Sequence, residues 1–105
     1  GAIVTWYSAP KGLALAVENG TVYGCSRGVL RLGAKPETVF MPMHDAVRSK
    51  PLGDMFAAFT MTGIDLYSSR GDRMETIALG TFASDIVMAD GTLVITADDG
   101  IHLYR

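Results

Sequence analysis

At 105 residues, 49% apolar and 19% charged, the chain has the balance of one folded globular domain and excludes a disordered segment. Its net charge of -2 and nine scattered Lys and Arg residues give no electrostatic footprint for nucleic acid or an anionic membrane, and no apolar run approaches the length of a transmembrane helix. The N-terminus lacks the basic region and long apolar run of a signal peptide, and the single Cys25 rules out an intrachain disulfide, so packing must hold the fold.

The first element predicted is a short strand over residues 2–7, AIVTWY, closed by the turn formers Ser8 to Gly12. It stands alone. A run at Leu13–Val17 follows, then a turn at Asn19-Gly20, a run at Thr21–Cys25, a turn at Ser26-Arg27-Gly28, a run at Val29–Leu32 and an outer strand over Glu37–Met43. Asn-Gly and Asp-Gly pairs tolerate the positive φ of a two-residue hairpin turn, so these runs read as an antiparallel meander. In the middle of the chain, His44-Asp45-Ala46-Val47 matches Ser84-Asp85-Ile86-Val87. A longer loop around Lys50-Pro51-Leu52-Gly53-Asp54 is expected there in place of the tight turn. A strand over Met55–Met61, a turn at Thr62-Gly63, the run IDLYS and an outer strand over Met74–Leu79 complete this part. The last stretch, from Asp85 to Arg105, pairs DIVMA with TLVITA across Asp90-Gly91, then turns at Asp98-Asp99-Gly100 into IHLYR. This meander has three strands and needs an outer one.

Gly28, Gly63 and Gly100 recur at intervals of 35 and 37 residues, and closing the chain head to tail gives a third interval of 33. Each is expected in a turn at positive φ. Four-stranded meanders of this length resemble the blades of β-propellers. The resemblance spans essentially the whole chain and rests on strand pattern and turns, since neither a WD dipeptide nor a kelch double glycine is present. It implies an all-β chain of three four-stranded antiparallel blades, over residues 13–43, 44–79 and 84–105, with the strand at 2–7 completing a split last blade. Three blades curve too tightly to close as a ring, so the resemblance further implies a head-to-tail homodimer of six blades, as in small fungal and bacterial lectins. A monomeric β-sandwich or barrel is the alternative that the same alternation allows.

In propellers, the loops entering the innermost strand share one face with the loops between the second and third strands. The resemblance therefore implies ligand-binding residues among Lys11, Arg27, His44, Asp45, Ser84, Asp85, Asp98 and Asp99. Asp45 and Asp85 are expected at equivalent positions, so a dimer would gather four carboxylates for a hard cation or a polar ligand. Capping of local turns by these side chains is the competing reading. No nucleophile with a base is marked, no cofactor is expected, and Cys25 reads as a small buried residue. The six methionines are expected to fill the spaces between blades. Trp6 and the tyrosines at 7, 23, 67 and 104 suit either stacking on sugars or packing.

The function this supports is a non-catalytic binding or assembly module, which would suit a structural subunit of a larger complex. The alternatives are a carbohydrate-binding lectin and a metal-dependent hydrolase using Asp45, Asp85 and His44. The expected partners are a second copy of the chain and a protein or small polar ligand.

Overall fold

The computed structural model describes residues 1–3, 8, 9 and 11–105, so the strand expected over 2–7 lies largely outside the described residues. Among the described residues the chain is all β, with no helix and hence none long and apolar enough to cross a membrane. Eleven strands form three antiparallel sheets of four, four and three strands. The first sheet runs β1 (Ala14–Glu18), β2 (Thr21–Cys25), β3 (Val29–Arg31) and β4 (Glu37–Phe40). The middle sheet runs β5 (Arg48–Leu52), β6 (Met55–Phe59), β7 (Gly63–Tyr67) and β8 (Arg73–Ala78). The last holds β9 (Ala83–Ala89), β10 (Thr92–Ala97) and β11 (Gly100–Tyr104). In each sheet consecutive strands are neighbours, as expected for meanders joined by tight turns.

Local chemistry explains the hairpins. Asn19 and Gly20 have φ of 51° and 77°, and Asp90 and Gly91 have 51° and 74°, so both positions of each turn are left-handed, as a type I′ turn requires. The loop expected around residues 50–54 is instead a third two-residue hairpin, with Leu52 paired to Met55 across Gly53-Asp54. Only Gly53 of that pair has positive φ, at 63°, which fits a turn with glycine first. Pro51 stays within β5 because β5 is the edge of its sheet. A missing N–H on the unpaired side of an edge strand costs no ladder bond.

Of the three recurrent glycines, Gly100 has positive φ, at 132°, but Gly28 and Gly63 do not. Their need for glycine is spatial. A Cβ at Gly28 would sit 2.7 Å from the Phe40 carbonyl oxygen, and one at Gly63 only 2.0 Å from that of Ile77. The returning outer strand passes where a side chain would begin.

The sheets pack in sequence order, and pairing registers fix which face does what, because directly paired residues project to the same side. One face of the middle sheet carries Ala58 and the pair Phe56–Tyr67; with Val29 and Phe40 of the first sheet these residues form one apolar cluster. Phe40 stacks on Phe56 with ring centroids 4.7 Å apart and meets the edge of Tyr67 at 4.9 Å. The opposite face, with Leu52, Ala57, Phe59, Ile64, Leu66 and Ile77, packs against Ala83, Ile86, Leu93 and Ile95 of the last sheet. Every residue of β7 is buried, as a strand covered on both sides should be.

The methionines do not fill these interfaces. Met55 packs partly against the larger cluster, whereas Met41, Met43, Met61, Met74 and Met88 are exposed. Met41, Met43 and Met61 lie just past the ends of strands, and Met74 lies on the outermost strand β8.

Candidate functional site

Counting back from each hairpin turn aligns the innermost strands β1, β5 and β9. Ala14, Arg48 and Asp85 each stand five residues before the first turn residue, and each pairs with the residue that ends or nearly ends the second strand: Cys25, Phe59 and Thr96. The expected equivalence of Asp45 and Asp85 is therefore overturned. Asp45 lies three residues further from its turn, outside β5, and a basic residue occupies the Asp85 position in the middle sheet. The tight turn at Gly53-Asp54 causes the shift, since it draws residues 48–52 into the strand.

This alignment brings a charged group together that the sequence reading missed. Arg48, Lys50 and Asp85 line a cleft of about 160 Å³ with Ala14, Ala16 and Cys25, so all three innermost strands contribute. Arg48 and Lys50 are two apart on β5 and project from the same face. Lys50 Nζ donates to Asp85 Oδ1 at 3.0 Å and to the Ile86 carbonyl at 2.9 Å. The Arg48 guanidinium donates to the Ser84 carbonyl and lies 4.3 Å from the Phe59 ring centroid, a cation–π distance. Part burial of Asp85 works against its charge, but hydrogen bonds from Lys50 and the Ile86 amide, with the charges of Lys50 and Arg48, hold its carboxyl below the ordinary value. Burial pushes the Cys25 thiol up, only partly offset by the same two cations, so it stays protonated and is a poor nucleophile. Period-two alternation in Arg48-Ser49-Lys50 was the sequence signal for this cluster, and Pro51 obscured it.

The other candidates are dispersed among local roles. Ser84, on β9, bonds across the ladder to the Thr96 carbonyl at 3.2 Å and to its hydroxyl at 3.0 Å. Asp98 and Asp99 form the two-residue turn between β10 and β11. Asp99 Oδ1 is 2.7 Å from His102 Nε2, and that hydrogen bond holds the Asp99 carboxyl below its usual value. Arg27 is exposed, with Nη1 3.4 Å from Met41 Sδ, and its carbonyl accepts from Ser49 Oγ at 2.7 Å. That bond, with Ser49 N to Ser26 O at 2.7 Å, ties the first sheet to the middle one. His44 and Asp45 are exposed, and Asp45 lines a separate shallow pocket with Ala46, Val47 and Met61. Lys11 lies in an exposed turn. Among the described residues no group of three or more His, Cys, Asp or Glu stands close enough to hold a metal ion.

The tyrosines divide by sheet. Tyr67 and Tyr104 hold matching register positions, opposite Phe56 and Leu93. Tyr104 is partly exposed and donates to Glu75, but Tyr67 is fully buried and its hydroxyl meets no hydrogen-bond partner. Glu37, at the ladder position of Glu75, is engaged by Arg31 instead. Trp6 and Tyr7 lie outside the described residues. Compared with known proteins, the chain matches no family model, no curated protein and no solved structure.

Proposed function

We propose that this chain is a non-catalytic binding or assembly module, a half-ring of three blades that closes head to tail on a second copy to make a six-bladed propeller. The observation that carries the reading is that, among the described residues, the two end sheets leave opposite faces uncovered. On the first sheet the face turned away from the middle one bears Leu15 and Val17, 71% and 64% exposed, beside Val22. On the last sheet the open face bears Ile101 and Leu103, 72% and 68% exposed, beside Val87. These faces differ in phase. The open face of the last sheet corresponds by register to the face with which the first sheet covers the middle one. The open face of the first sheet corresponds to the face that the middle sheet presents to the first. One unused face of each kind is what a heterologous contact joins, and two copies close a ring of ordinary size.

Apolar patches of this kind, if left in water, call for a partner, and a second copy supplies the matching face. The same arrangement gives residues 2–7 a place, as the outer strand of the last blade contributed across the junction. Light scattering over a dilution series tests the proposal: the expected mass is twice 11.2 kDa, persisting on dilution. The double variant Ile101→Asp, Leu103→Asp should shift that mass to one chain while the far-ultraviolet spectrum stays β-rich. A wild-type monomer at every concentration would end the ring reading. Glycan-array binding would move the assignment to a lectin, and a stoichiometric divalent metal would move it to a hydrolase.

A further inference from the structure

We propose that the cleft between the three innermost strands binds a small oxyanion, a phosphate or carboxylate group, with Arg48 as its principal ligand. The cleft gathers two cations, Arg48 and Lys50, against one carboxylate, Asp85, on a chain whose net charge is -2. A local excess of positive charge in a concave site is the electrostatic requirement for an anion. Lys50 is already engaged, bridging Asp85 and the Ile86 carbonyl. Arg48 meets no carboxylate among the described residues, and its protein acceptor is the neutral Ser84 carbonyl. A guanidinium presents five N–H donors in a planar fork that fits carboxylate or phosphate in bidentate fashion, so donors remain for a ligand.

Room for the ligand comes from the first sheet. Ala14 stands where the middle sheet has Arg48, and Ala16 where it has Lys50, so the first sheet lines the cleft with small or uncharged side chains and adds no third charge. Larger side chains at those positions would fill the cleft. Phe59 beneath the guanidinium orients it through the cation–π contact. Asp85 at the rim repels a second negative charge, which favours ligands presenting one compact anionic group. Every residue named here belongs to one chain, and the anion titration and the mass measurement are separate readouts, so the two proposals fail separately.

Inorganic phosphate and acetate, titrated against the 105-residue chain while backbone amide resonances are followed by NMR, test the inference. The expected result is saturable shifts at Ala14, Ala16, Arg48 and Asp85 with one site per chain; whichever anion gives the larger affinity identifies the group. Arg48→Met should weaken binding about tenfold or more, the loss expected for a charge-assisted pair. Because Arg48 also holds the Ser84 carbonyl, Asp85→Asn supplies an independent variant, and removal of the rim carboxylate should tighten binding. Shifts spread over exposed cations such as Arg70 and Arg73, binding unchanged in Arg48→Met, or no saturation with either anion would each overturn the proposal.

Discussion

Replacing Gly63 by alanine gives a sharp test of how the middle sheet is held. A Cβ there would lie 2.0 Å from the Ile77 carbonyl oxygen, with the Ile77 carbonyl carbon at 3.1 Å and the Leu79 nitrogen at 3.2 Å. Carbon and oxygen tolerate an approach of about 3.3 Å, so β7 and β8 must separate locally by more than about 1 Å. All three atoms are backbone and no side chain can swing away. Thr62 O accepts from Leu79 N and from Gly80 N at 3.0 Å each, beside the first rung, Gly63 to Ala78. An added ångström takes such bonds out of range. Two lost bonds at about 1 kcal/mol each, plus looser packing of the neighbouring Ile64–Ile77 rung, give about 2–4 kcal/mol. Urea unfolding at fixed protein concentration measures it, and Gly71→Ala is the control. Gly71 has φ of 90° with nothing within 4 Å of a Cβ, so its cost is the backbone term alone, about 1–2 kcal/mol. If Gly63→Ala is no worse than Gly71→Ala, the close-approach argument fails.

Two further outcomes follow from buried and charged groups. Tyr67→Phe should raise stability by about 1 kcal/mol, because it removes a buried hydroxyl that has no partner and keeps the ring against Phe40; a loss in the urea midpoint would show that the hydroxyl is bonded. Asp85 has its carboxyl held below the unfolded value, so its contribution is present above the unfolded pKa and is lost as pH falls through the folded one. Between about pH 5 and pH 3 the wild type should therefore lose more stability than Asp85→Asn. Parallel loss in both proteins would remove Asp85 from the acid response.

Much of the fold was legible because hairpin chemistry is local. Asn19-Gly20 and Asp90-Gly91 announce turns whose φ values the neighbouring strands require, and alternating apolar residues mark the strands on either side. The third hairpin escaped because its turn, Gly53-Asp54, is neither an Asn-Gly nor an Asp-Gly pair, and the tolerance of Pro51 depends on β5 being an edge, which is a property of the sheet. The error propagated to the site: with residues 50–54 read as a loop, Asp45 took the place that belongs to Arg48, and an acidic site was expected where the cleft is mainly basic. The recurrent glycines show the same division. Their spacing is written in the chain, but the reason for Gly28 and Gly63 is a second strand passing within van der Waals contact.

The sequence by itself determined most of the strands, most of their turns and the grouping into three meanders, since each depends on backbone preferences within a few residues. Tertiary structure alone decided which face of each sheet is covered, which tyrosine is buried and which charges meet. A one-residue difference in register exchanges the two faces of a strand, and only the packing of one sheet on the next fixes that choice.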